Sequence, residues 1–274
     1  MGEPSPGADP GTVRFPVAAR SPSGLSGLGF VRKILVDMNE VMHAISAVKV
    51  QDSRDLRHST LLAVETAGVT VGVLAAIRFL HTCPAANLKW LLIPCTLVAA
   101  ALAPAWITRR DFPRIGLHRE PFRLAIRTVA PACLCILPPV YLGLWLLTSA
   151  GLPIPLRPVL ARQQDWFTWL LYQFLYVAAA EEVFFRGYLQ ANTTRLLRER
   201  RLSQPARRWI AIAISAGCFA LAHVVVQGQI VSALTFLPGL FMAWLFVRTR
   251  SLLASILFHG LANVSYGIMA ATFA

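Results

Sequence analysis

Seven long apolar segments dominate this chain, at roughly 60–80, 88–107, 127–149, 166–190, 208–226, 229–247 and 251–272. Each is long enough to cross a hydrocarbon core of about 30 Å at about 1.5 Å per helical residue. Inside lipid a backbone must satisfy its own polar groups, and a run of this length does so as a helix. The expected fold is therefore all-α: a polytopic transmembrane bundle of about seven spans, with the lipid bilayer as its solvent. Charge supports this class, because only 14% of the residues are charged, against about 25% in a soluble domain.

The charges fall between the apolar segments, and they fall unevenly. Arg32, Lys33, Lys49, Arg54 and Arg57 precede the first segment, and Arg109, Arg110, Arg114, Arg119 and Arg123 follow the second. Arg195, Arg198, Arg200, Arg201, Arg207 and Arg208 follow the fourth, and Arg248 and Arg250 the sixth. Between the third and fourth lie only Arg157 and Arg162. Every other loop is basic, which predicts a seven-span chain with a cytoplasmic N-terminus and an external C-terminus. The net charge of +13 is thus a topology signal. No aromatic–basic platform or base-reading motif accompanies it, so nucleic acid is excluded as a partner. Gln227-Gly228-Gln229 makes the fifth and sixth spans a tight hairpin, with a re-entrant segment as the competing topology.

Composition also divides the chain. Residues 1–29, rich in Pro, Gly and Ser, read as a disordered arm. In residues 30–57, Phe30, Ile34, Met38, Val41, Ile45 and Val48 recur every three or four positions, as in an N-terminal amphipathic helix beside the membrane. Residues 58–150 read as accessory spans and 165–274 as the functional core. The five cysteines, Cys83, Cys95, Cys133, Cys135 and Cys218, lack metal-ligand spacing. No internal repeat is visible, and Glu65 is the one acidic residue of the first three spans.

The core holds the chemistry. Glu181 and Glu182 are adjacent within Val177-Ala178-Ala179-Ala180-Glu181-Glu182-Val183-Phe184-Phe185-Arg186. A carboxylate at bilayer depth costs a few kcal/mol and marks a functional site by default. Adjacent helical residues lie about 100° apart around the axis, so the two carboxylates aim at different points. Glu182 and Arg186, four apart, share a face and form the natural ion pair. Glu181 is left without a local partner, as a general base requires. The fifth span supplies Phe219 and His223, and the seventh His259 and Asn263, each pair again four apart. Glu181 lies fourteen residues before Arg195, and His223 fifteen after Arg208. Both sit about 21–23 Å along their helices from the same basic loop.

Glu181-Glu182-x-x-x-Arg186, Phe219-x-x-x-His223 and His259-x-x-x-Asn263 resemble the three motifs of the CPBP family, the CAAX-protease and bacteriocin-processing intramembrane endopeptidases. The resemblance covers about residues 165–274. It implies an intramembrane protease in which Glu181 and His223 activate water and His259 and Asn263 stabilise the oxyanion, with Glu182, Arg186 and Phe219 in support. A zinc-dependent version would use Glu181, His223 and His259 as ligands and Glu182 as base. The pairing of Glu182 with Arg186, and the lack of His-Glu-x-x-His, favour a mechanism without a cofactor. A proton-coupled transporter lacks the expected repeats, and a non-catalytic scaffold or immunity protein has no use for Glu181. The 23 arginines against 3 lysines indicate a GC-rich bacterial source, hence an inner (plasma) membrane location. They also favour a membrane-anchored peptide or protein as substrate over a prenylated tail.

Overall fold

The structure, a computed structural model, describes residues 57–82, 86–107, 122–152, 165–198 and 200–273. The arm at 1–29 and the amphipathic helix at 30–57 lie outside the described residues, apart from Arg57. Every element among the described residues is helical. The helices are α1 (Arg57–Thr82), α2 (Ala86–Ile107) and α3 (Phe122–Ser149), α4 over residues 166–198, then α5 (Gln204–Gln227), α6 (Phe236–Thr249) and α7 (Leu252–Phe273). All seven apolar segments of the sequence fall on these helices. Five helical runs are long and apolar enough to cross a membrane: α1, α3, α5, Ile230–Thr249 and α7. α2 adds a shorter apolar run, Leu91–Pro104, and α4 carries the buried charges.

Local chemistry sets the boundaries. Asp165 caps α4, its Oδ1 accepting the Phe167 and Thr168 backbone N–H groups at 3.1 Å each. Ser203 caps α5, with Pro205 in the first turn, where a missing N–H costs nothing. Gly228 ends α5 in the left-handed region at φ 67°, its N–H bonding the Val224 carbonyl at 2.9 Å. A short 3₁₀ stretch, Ile230–Thr235, leads directly into α6. The fifth and sixth segments therefore join as the tight hairpin their sequence predicts.

Polarity is inverted relative to a water-soluble fold. Large apolar side chains such as Leu61, Val71, Phe79, Leu134, Leu221 and Leu237 are exposed, while Glu182, Arg186, Gln190, Ser215, Ser255 and His259 are buried. Only 6% of the apolar window of α3 is buried inside the protein, so most of that helix needs another apolar medium. In water such a surface would aggregate, whereas in a bilayer it is the required one. The architecture is an all-α, polytopic transmembrane bundle.

α4 runs through the centre of this bundle. Its Phe184, Phe185, Tyr188 and Leu189 pack with Phe219 of α5, Met242 and Leu245 of α6 and Phe258 of α7, and the same core takes in Leu97 of α2 and Ala125 of α3. Buried polar side chains latch neighbouring helices to main-chain carbonyls: Ser215 donates to Phe185 at 2.9 Å, Gln190 to Ala243 at 3.0 Å and Ser255 to Met242 at 3.0 Å. Where no water competes, such bonds replace the hydrophobic effect that joins helices in soluble proteins. The Tyr188 hydroxyl also reaches Glu65 Oε1 at 3.4 Å, tying α1 to α4.

Candidate active site

The two glutamates occupy a single α-helical turn, Ala179–Glu182, between two π-helical stretches of α4, Tyr172–Ala178 and Val183–Gln190. π turns that interrupt helices are frequent at functional sites. Glu182 and Arg186 form the ion pair expected from their spacing, with Nη1 donating to Oε1 at 2.9 Å and both side chains fully buried. Three further contacts hold the guanidinium. Its Nη2 donates to the Gly239 carbonyl at 3.1 Å, and its carbon lies 4.7 Å above the Phe219 ring and 6.0 Å from that of Phe185. A cation over an aromatic face is attracted by the ring quadrupole, and more so when desolvated. Gly239 permits the approach, since a Cβ there would lie 3.2 Å from Phe219 Cδ1.

His259 of α7 joins the two carboxylates. Its Nδ1 lies 2.9 Å from Glu182 Oε1 and its Nε2 lies 3.7 Å from Glu181 Oε2. A carboxylate only accepts, so Nδ1 carries a proton and donates it to Glu182. The bond fixes ring orientation and tautomer, as a carboxylate does for a catalytic histidine elsewhere. The second separation exceeds hydrogen-bond range. Glu181 Oε2 is buried and accepts no hydrogen bond from any described residue. Sequence geometry set the two carboxylates at different points, and the structure brings them to one imidazole. The 100° between them is spanned because one ring presents a nitrogen to each, and because a glutamate side chain has three rotatable bonds.

His223 stands apart from this contact. Its Nδ1 lies 2.9 Å from the Phe219 carbonyl of its own helix, so Nδ1 is the donor and Nε2 takes no part in that bond. Phe219 links the two histidines, its ring 4.5 Å from that of His223 and 5.7 Å from that of His259. Asn263, one turn after His259, donates its amide to Gln173 Oε1 on α4 at 3.1 Å. Gln173 carries no part in the sequence motifs. Its one signal is that of an isolated amide in an apolar run, two turns before Glu181, and Gln190 gives the same signal on the other side. Among the described residues no group of three His, Cys, Asp or Glu side chains converges as metal ligands do. Glu181, His223 and His259 are not brought together as such a group.

Helix α7 reaches this position through Gly260. A Cβ built there would lie 2.3 Å from Phe174 Cδ1 and 2.8 Å from its Cγ. Gly260→Ala is expected to push the Phe174 ring aside and separate α7 from α4 beside His259 and Gln173. Overpacking of this kind costs about 1–3 kcal/mol. Thermal denaturation in detergent checks it, and an unchanged midpoint would mean that Phe174 swings clear at no cost.

Residues 163–265 match the family model described as type II CAAX prenyl endopeptidase Rce1-like. The match begins just before α4, ends within α7, and contains Glu181, Glu182, Arg186, Phe219, His223, His259 and Asn263. No curated protein and no solved structure matches the chain. The motif resemblance and the family match agree: over residues 163–265 this integral membrane protein is similar to the Rce1-like type II CAAX prenyl endopeptidases.

Proposed function

We propose that the chain is an intramembrane endopeptidase of the CAAX-protease type, which hydrolyses a peptide bond of a membrane-anchored peptide or protein with water activated by Glu181. The observation that carries this reading is the unequal treatment of the two carboxylates. Each keeps one buried oxygen with no donor among the described residues, but Glu182 is fixed through its Oε1 by Arg186 and His259, whereas Glu181, 19% exposed, has its open Oε2 3.7 Å from His259 Nε2. Buried polar atoms are rarely left unmet. A water donating to Glu181 Oε2 meets this one and stands beside His259, poised for deprotonation.

The remaining roles follow from the contacts. Glu182 orients His259, and Arg186 balances the charge of Glu182. With His259 doubly protonated, two anions and two cations leave the centre neutral, and Nε2–H becomes a donor for an oxyanion. A preorganised donor of that kind is worth about 2.7–4 kcal/mol in the transition state. The Asn263 amide carries two hydrogens, one engaged by Gln173, and its second is the complementary donor. His223 is assigned, from the motif it shares with Phe219, as a second acceptor for protons on the attacking water.

The reading is metal-independent, supported by the pairing of Glu182 with Arg186, which takes up the carboxylate that a zinc site would need as its base. Residues 1–57 would be a cytoplasmic arm and surface helix, 58–150 accessory spans, and 165–274 the catalytic core. The N-terminus is assigned to the cytoplasmic side of a bacterial inner membrane, on the alternation of basic loops and the excess of arginine over lysine.

The test is cleavage of a membrane-peptide library by the purified protein, with and without a strong chelator. Cleavage is expected to be unaffected by chelation. Loss of cleavage on chelation, restored by zinc, would establish the metalloenzyme instead. A folded protein that cleaves no member of the library would count against a protease altogether.

A further inference from the structure

At one end of the core, about two turns beyond the catalytic glutamates along α4, lies a cavity of about 1330 Å³ that none of the roles above uses. Six arginines line it: Arg195, Arg198, Arg207, Arg208, Arg248 and Arg250. They come from the end of α4, the start of α5 and the α6–α7 turn, so three separate parts of the chain converge on one space. None of its lining residues is acidic.

Two indoles, Trp209 and Trp244, complete the wall, 58% and 37% exposed. Tryptophan with arginine at helix ends marks headgroup level in a bilayer. The first turn of α5, at Gln204 and Pro205, also faces the cavity, and a helix N-terminus adds partial positive charge. Arg250 is the one non-glycine residue at positive φ among the described residues, at 57°, where it ends α6. Glycine is the usual residue at that position, so an arginine is kept there against the backbone preference.

We propose that this cavity binds a phosphate group, that of an anionic phospholipid headgroup seated between the helix ends. Guanidinium groups pair with phosphate oxygens through two parallel charge-assisted bonds, and several around one cavity match a phosphodiester with its glycerol stem. Basic pockets between transmembrane helices take anionic headgroups by the same chemistry. The indoles flank the glycerol region, and the exposed apolar faces of the bundle receive the acyl chains. A soluble phosphate shares the recognised group but makes no use of the indoles or of the adjoining apolar surface.

The test is native mass spectrometry of the full chain in mixed micelles, comparing phosphatidylglycerol with phosphatidylcholine and with inorganic phosphate. Wild type is expected to bind phosphatidylglycerol about tenfold or more tightly than phosphatidylcholine. The variant Arg208→Gln/Arg250→Gly should lose that preference, with its fold kept because glycine suits the α6 terminus. The control Arg200→Gln/Arg201→Gln removes the same charge from the neighbouring α4–α5 connection, outside the cavity, and should keep the preference. Phosphate binding by wild type without any lipid preference would retain the phosphate group and overturn the membrane source. Equal loss in the two double variants, or no preference in wild type, would overturn the site and leave only diffuse surface charge.

Discussion

Glu181→Gln is expected to lower peptide cleavage by about 10²–10⁴-fold, the usual contribution of a positioned general base, while thermal stability in detergent stays close to wild type. The two halves of this expectation come from one set of contacts. Glu181 is only 19% exposed, yet its Oε2 accepts no hydrogen bond from a described residue and lies 3.7 Å from His259 Nε2. Glutamine keeps the shape and removes the basic oxygen, so water is no longer deprotonated and little packing is lost. Glu182→Gln should behave differently. It weakens the bonds to Arg186 and to His259 together, both at 2.9 Å, so activity and stability should fall in parallel. If Glu181→Gln keeps wild-type cleavage, or loses activity only in proportion to folded protein, Glu181 is not the base.

These neighbouring carboxylates also show where sequence stops being informative. The i, i+4 rule placed Glu182 on Arg186 because that contact lies within one helix and needs no tertiary knowledge. Apolar run length located the seven helices of the described residues, because lipid leaves a long apolar segment no other backbone solution. The π stretches on either side of Ala179–Glu182 have no such local cause. They depend on how α4 packs against its neighbours, and they shift the facing of the residues before and after the glutamates while leaving the 100° step between the two intact. The meeting of His259 with both carboxylates depends on the register of α7 against α4, seventy-seven residues away in sequence for Glu182. Asn263 on Gln173 and Arg186 on the Gly239 carbonyl depend on register in the same way. Motif spacing identified the side chains at the centre, and packing decided which of them touch. Residues such as Gln173, which enter only through packing, leave in the sequence no more than an isolated amide in an apolar run.

Arg186→Met is expected to be the most destabilising single change in the core, by about 3–5 kcal/mol, because it leaves the buried Glu182 carboxylate without its cation. Arg186 is fully buried and holds Glu182, the Gly239 carbonyl and the Phe219 face at once. Arg186→Lys should rescue this only in part, since one ammonium on a flexible stem cannot satisfy two acceptors in the guanidinium plane. The double variant Glu182→Gln/Arg186→Met is the decisive measurement. Removing both charges removes the uncompensated burial, so it should be more stable than Arg186→Met alone, with a coupling of roughly 0.5–3 kcal/mol. Cleavage should not recover with stability, because His259 has lost the carboxylate that orients its ring. A double variant no more stable than the single would show that Arg186 is buried for its contacts with Gly239 and Phe219, not to neutralise Glu182. Recovery of both properties would remove Glu182 from the positioning of His259.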